Sequence, residues 1–163
     1  MTHGGSTMRL KQGCKGVWIA VAAALADRLS KVAVAKLARG GGALIPGLVN
    51  LRPVVNRGMA FSMLSGQGLF LAALTAVIVM AVTAWLLMKP DAPAAQRAGL
   101  WLIVGGGLGN LYDRVTAGVV SDFIELAFVR FAVFNVADIC ICVGAALTVI
   151  GAWAAERHRR NRE

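Results

Sequence analysis

Acid is scarce in this sequence. Eight Asp and Glu stand against 17 Lys and Arg, and only 15% of the 163 residues are charged. A soluble globular domain carries about 25%, and the helices of a soluble bundle need a polar face. The composition therefore argues against a soluble α-bundle. Histidine is nearly missing: His3 and His158 both sit in the tails. No Ser–His pair and no metal-ligand spacing can be assembled, so no metal and no cofactor is expected. The three cysteines, Cys14, Cys140 and Cys142, form no such spacing either. Cys140 and Cys142 are two apart on a predicted helix and point to different faces, so they read as packing residues. The four prolines, Pro46, Pro53, Pro90 and Pro93, all lie outside the long apolar runs. No small-residue cleavage site in a polar stretch follows the apolar segment after Lys15, so no cleavable signal peptide is expected.

What the chain has in quantity is apolar sequence. It is 58% hydrophobic, in blocks. Gly68–Met88 runs 21 residues without a charge, and Phe131–Ala155 runs 25 with Asp138 alone. About 20 apolar residues span a hydrocarbon core about 30 Å thick. The expected fold class is an all-α membrane protein of one domain, residues 1–163, with four transmembrane helices. The spans are placed at about 16–36, 68–88, 98–115 and 131–155. Between the first two, Pro46 and Pro53 forbid a continuous span. Leu51–Met63, β-branched and broken by Pro and Gly, predicts short strands or an interfacial hairpin.

The net charge of +9 would suggest nucleic acid in a soluble protein. Here the basic residues cluster at the ends of apolar blocks, as membrane topology requires, and no nucleic-acid partner is expected. The two tails and the Lys89–Arg97 loop hold nine of the 17 Lys and Arg, and the two opposite loops hold four: Arg39, Arg52, Arg57 and Arg130. The positive-inside rule then puts both termini in the cytoplasm.

The scarce acids are not scattered. Half of them, Asp113, Asp122, Glu125 and Asp138, fall between Gly105 and Asp138. At about 1.5 Å per helical residue, Asp113 lies about 22 Å up the third span and Asp138 about 10 Å below the outer rim. Asp122 lies in a short loop beyond the third span. Asp27 and Lys31, four apart in the first span, can pair. Asn110 shares a helix face with Asp113 and Arg114, and Asn135 shares one with Asp138. Polar groups thus converge on the extracytoplasmic half. Ionisable groups in apolar surroundings are functional candidates. Two close carboxylates share a proton. The ionised one can activate water while the protonated one polarises a carbonyl, which suffices to hydrolyse a peptide bond. A small transporter or channel subunit and a non-catalytic assembly factor remain open at this point. The glycines Gly105, Gly106, Gly107 and Gly109 suit close helix approach.

Five pieces then occur in a telling order: DRLSK at Asp27–Lys31, NRGMAFSML at Asn56–Leu64, GNLYDR at Gly109–Arg114, VVSDFI at Val119–Ile124 and FNVAD at Phe134–Asp138. With them the chain resembles the lipoprotein signal peptidases, the type II signal peptidases of bacteria, over nearly its whole length. The resemblance implies an aspartyl endopeptidase of the bacterial inner membrane. Such an enzyme removes the signal peptide of diacylglyceryl-modified prolipoproteins just before the lipidated cysteine. It implies Asp122 and Asp138 as the catalytic pair, with Asn56, Asn110, Arg114 and Asn135 holding substrate. Asp27, Lys31 and Asp113 would be supporting residues. It also implies a small extracytoplasmic sheet between spans 1 and 2, and an active site on the extracytoplasmic side. The expected partners are the diacylated substrate and membrane lipid, with the protein a monomer. The loop between Asp122 and Asp138 is short beside many members of that family, and the N-terminal tail is somewhat long.

Overall fold

The computed structural model describes residues 14–38, 40–58 and 67–161. Arg39 and the part of the expected strand region from 59 to 63 lie outside them. Among the described residues, four long helices and three short strands follow in order: α1 (Val17–Leu37), β1 (Gly42–Ile45), β2 (Val49–Asn56), α2 (Gly68–Met88), α3 (Ala94–Ala117), β3 (Val120–Leu126) and α4 (Val136–Arg160).

α3 is the hub and packs against each of the other three helices. Its glycine run explains how. A Cβ on Gly105 would fall 2.7 Å from the Ala23 Cβ of α1, and one on Gly107 would fall 2.7 Å from Val79 of α2. A Cβ on Gly106 would strike the Ala137 carbonyl of α4 and Ile141 Cγ1 at 2.9 Å. Successive glycines thus admit three different neighbours, where the sequence suggested one small-residue seam. The core between them is Ala20, Val79, Leu86, Trp101 and Val104. At the α3 start, Arg97 donates to the Lys15 and Pro90 carbonyls at 2.8 and 2.9 Å, and Trp101 Nε1 donates to Lys15 at 3.1 Å. These bonds tie the entry of α1 to the α2–α3 connection.

Outside this core much of the helix surface is apolar. Leu69, Phe70, Leu74, Val77, Ile78 and Met80 of α2 are exposed, as are Trp18, Val21, Leu25 and Leu29 of α1. Only α2 and α4 are long and apolar enough to cross a membrane by length and composition. α1 and α3 carry more charge, yet Asp27, Lys31, Arg97 and Asp113 are buried inside the bundle. Composition counts those charges, while the surface does not display them.

The sheet corrects two expectations. β1 and β2 form a hairpin that lies upstream of the expected Leu51–Met63, sharing only Leu51–Asn56 with it, and it turns at Gly47 with φ 76°, a left-handed conformation that glycine adopts without strain. The third strand, β3, comes from the segment between α3 and α4, where the sequence predicts a loop, and pairs antiparallel with β2. The sheet is therefore not confined to the connection between α1 and α2. β3 escaped notice because SDFIEL shows no clean alternation of apolar and polar residues. The second correction concerns the last helix. It starts at Val136, not near 131, because Phe134 bridges back to Ile124 of β3, with N–H···O distances of 2.8 and 3.0 Å. Asn135 is its N-cap and not a residue on its face. α3 conversely begins at Ala94, four residues earlier than expected, with Pro93 as its N-cap.

The Gly106 contact can be tested. Gly106→Val is expected to cost about 1–3 kcal/mol by overpacking and to lower the Tm in detergent. Gly40→Ala, where a Cβ would meet nothing within 4 Å, is expected to leave it unchanged. Equal Tm values for the two variants would contradict the packing described.

Candidate active site

The nine residues singled out in the sequence come together at one end of the bundle, in two connected groups. The inner group is an ion cluster. Lys31 Nζ lies 2.7 Å from Asp27 Oδ2 and 2.9 Å from Asp113 Oδ2, and all three side chains are nearly solvent-free. The two carboxylates also tie down backbone elsewhere. Asp27 Oδ1 accepts the Ala137 N–H of α4 at 3.0 Å, and Asp113 Oδ2 also accepts the Ser121 N–H of β3 at 3.2 Å. Gly109 makes room for the cluster, since a Cβ there would fall 2.6 Å from Asp27 Oδ2. One ammonium thus connects α1 and α3, and its carboxylate partners reach α4 and β3.

The outer group is a cradle of amides around two carboxylates. Asn135 is central and completely buried. Its Nδ2 donates to Asp122 Oδ1 at 2.7 Å and to Asn110 Oδ1 at 3.0 Å, while its backbone N–H donates to Asp138 Oδ2 at 3.2 Å. Its Oδ1 accepts the Asp138 N–H at 3.0 Å, completing a capping box at the start of α4. Asn110 Nδ2 donates to Asp138 Oδ1 at 2.9 Å, and Asn56 Nδ2 donates to Asp122 Oδ2 at 2.8 Å. Every oxygen of both aspartates therefore accepts a hydrogen bond, and a single residue, Asn135, touches both. Asn110 Oδ1 also lies 3.4 Å from Lys31 Nζ, which joins the two groups. Arg114 reaches across to the Gly58 carbonyl at 3.3 Å.

The local folding explains these positions. The Ile124–Phe134 bridge sets the following Asn135 beside β3, and the capping box then brings Asp138 to the same point. Asp122 stands opposite Val54 in the β2–β3 register, so Asn56, at the end of β2, comes within reach. Burial pushes the Asp122 carboxyl up to about 6. The Asn56 hydrogen bond opposes that shift, and the neighbouring negative charge of Asp138 adds to it.

Two hollows meet at Asp122. One, about 490 Å³, contains Asn56, Asn110, Arg114, Asp122 and Asp138, against apolar walls from Leu126, Phe134, Ile139 and Val143. The other, about 900 Å³, is a more open groove that shares Asn56 and Asp122 and adds Asn50, Arg52, Glu125 and Arg130. Arg52 pairs with Glu125 at 3.2 Å. Sequence reasoning missed the Phe134 bridge, the Arg52–Glu125 pair and the apolar wall, none of which has a local signal. Cys142 was read as packing, but it is exposed and lines the smaller hollow.

A helical bundle with apolar outer faces, ending in two amide-held carboxylates, has the parts of a membrane aspartic peptidase. The family model described as "Signal peptidase (SPase) II" matches residues 19–154. A lipoprotein signal peptidase of Aeromonas hydrophila is 37% identical over 157 residues, covering 91% of this chain and 94% of the relative. One from Gloeobacter violaceus is 38% identical over 142 residues, covering 85% and 82%. A solved structure described as a bacterial membrane enzyme superposes with a TM-score of 0.79 at 27% identity, covering 91% of this chain and 92% of that one. The chain belongs to the signal peptidase II family, whose members are membrane aspartic peptidases. None of these matches supports the transporter reading.

The ion cluster makes a direct prediction. Lys31→Met leaves Asp27 and Asp113 buried without their cation, and removing one member of a buried pair costs about 3–5 kcal/mol. Unfolding in mixed detergent should show that loss. The double variant Asp27→Leu/Lys31→Met should recover part of it. A Lys31→Met protein as stable as wild type would show that the cluster does not hold the bundle together.

Proposed function

We propose that the chain is a single membrane-embedded endopeptidase that removes signal peptides from diacylglyceryl-modified prolipoproteins. It cuts just before the lipidated cysteine, with Asp122 and Asp138 as the catalytic pair. The observation that carries this reading is Asn135, which holds both carboxylates at the mouth of an apolar-walled hollow. In this reading α1 to α4 all span the inner membrane, both termini are cytoplasmic, and the site opens at the extracytoplasmic surface. The protein works as a monomer.

Asp138 sits in the first turn of α4, where the helix dipole favours negative charge. Asp122 holds the shared proton. Asp138 takes a proton from a water between the two, and the water oxygen bonds to the scissile carbonyl carbon. Asp122 gives its proton to the carbonyl oxygen. Collapse of the tetrahedral intermediate breaks the C–N bond, and the leaving amine is protonated from the pair. Asn110 and Arg114, whose side chains face the hollow, hold the substrate backbone and steady the developing negative charge. The acyl chains enter sideways from lipid along the apolar wall, which fixes the scissile bond at the depth of the acids.

Purified protein incubated with a diacylated prolipoprotein and with its unlipidated twin should cleave only the first. Asp122→Asn and Asp138→Asn, correctly inserted, should each lower kcat by at least about 10³-fold, as loss of a catalytic acid or base does. Maturation of the lipidated precursor by either variant would refute the assignment.

The pH profile gives an independent check. Asp122 is protonated below about 6 and loses its proton above it. Because the protonated form is the working one, kcat/KM should fall as pH rises past a limb at or above about 6, by about tenfold per pH unit. Bound substrate, by removing water, moves the corresponding limb of kcat upward. A kcat/KM that rises without a break from pH 5 to 9 would show that Asp122 does not carry the proton.

A further inference from the structure

On the side of α3 turned away from the hollow, a cation lies on the lipid-facing surface. The Arg28 side chain is 52% exposed, and its guanidinium carbon lies 4.9 Å from the centre of the Tyr112 ring. Tyr112 is itself half exposed. On α3, Tyr112 is two residues from Asn110, about 200° around the helix, so it faces away from the amide cradle. The neighbours on that surface are apolar and exposed. Leu25, one turn before Arg28, and Leu29, next to it, are exposed on α1, and Leu108 and Val115 share a face of α3 with Tyr112.

Within the protein this guanidinium is poorly matched. Its one carboxylate neighbour among the described residues is Asp113 Oδ1, at 3.8 Å, beyond hydrogen-bond length. Asp113 takes Lys31 at 2.9 Å and the Ser121 N–H at 3.2 Å through Oδ2, which holds the carboxylate in place and keeps Oδ1 at 3.8 Å from the guanidinium. The Tyr112 ring steadies the cation but accepts none of its five N–H bonds in the plane. Depth completes the picture. Tyr112 lies five residues before the end of α3, about 8 Å at 1.5 Å per residue. An arginine side chain can snorkel over that distance to the headgroup layer. Planar donors aimed outward from an apolar belt suit a phosphate, which guanidinium binds through paired hydrogen bonds.

We infer that Arg28 and Tyr112 form a binding site for the phosphate of an outer-leaflet phospholipid, on the α1–α3 face opposite the catalytic hollow. The lipid phosphate completes the hydrogen bonding of the guanidinium, and its acyl chains lie along Leu25, Leu29, Leu108 and Val115. The site anchors the bundle at a fixed depth. It does so through Arg28, which neighbours the Asp27–Lys31–Asp113 cluster, and so holds the acids level with the headgroups. This inference rests on the four-span reading given above.

The test uses the full chain purified in a maltoside detergent. The lipid held most tightly is followed by native mass spectrometry during titration with phosphatidylglycerol, with diacylglycerol and with inorganic phosphate. Phosphatidylglycerol should bind, and diacylglycerol, which lacks the phosphate, should not. Inorganic phosphate should not displace the lipid. Arg28→Gln should weaken the tightest binding by about tenfold, the loss expected for one charge-assisted hydrogen bond. Arg28→Lys, which keeps charge but not the planar fork, should fall between, and Tyr112→Phe should bind as wild type does. Arg28→Gln protein that elutes as a folded monomer yet binds phosphatidylglycerol within about twofold of wild type would overturn the inference. So would equal binding of diacylglycerol, and displacement by inorganic phosphate would assign the site to a free anion. Reconstitution in nanodiscs separates the two levels. A wild-type chain that does not insert sinks the four-span reading itself, whereas insertion with undiminished lipid binding by Arg28→Gln sinks only the lipid site.

Discussion

A single buried ammonium underlies the whole arrangement. Lys31 stands between Asp27 and Asp113 at hydrogen-bond distance, almost without solvent. Isolated, any one of these charges would be very costly inside an apolar bundle. Together they are tolerable only in one geometry, because each needs the others placed. That requirement fixes α1 against α3. The two carboxylates then extend it, to the first turn of α4 through Ala137 and to β3 through Ser121. The cluster is thus less a source of net stability than a device that sets register among four elements.

The reactive end inherits its order from that register. Lys31 also approaches Asn110 Oδ1, which orients the Asn110 amide so that its NH₂ group faces Asp138. Asn135, fixed by the strand bridge before it and the helix after it, closes the circuit between Asp138 and Asp122. The two acids therefore have neutral donors on every oxygen and yet remain beside a cavity. Burial and mutual repulsion favour a shared proton, while the amides keep both groups from turning away. That combination suits proton traffic between two carboxylates. The same end of the molecule joins two unlike hollows at Asp122, an apolar-walled one and a more open groove of mixed polar and apolar lining. A substrate that is lipid on one side and peptide on the other fits such a junction.

Much of this was legible along the chain because the apolar code is so plain. α2 was located to the residue, and α1 to within one, since a helix that must be apolar over about 20 residues leaves its ends marked by charge. The small set of polar residues within apolar blocks was likewise visible, because a membrane protein carries few of them without cause. Apart from the start of α3, the expectations that failed share one feature. β3, the start of α4 and the role of Cys142 all depend on partners distant in sequence. Phe131–Asn135 looks like the start of a helix by hydropathy alone. It is diverted into a strand-like pairing with Ile124, and only then can Asn135 act as a cap.

The sequence alone determined that the chain is apolar, helical and four-membered, which residues were candidates for chemistry, and which family it resembled. These follow from composition, run length and local motifs, properties that need no folded partner. Only the tertiary structure decided that nine scattered polar residues form two linked groups. It also decided that the glycines of α3 serve three different helices, and that Asn135 spans both aspartates. Such contacts join residues up to 110 positions apart, as Asp27 and Ala137 are, and hydrogen-bond geometry at that separation exists only once the backbone has closed around it.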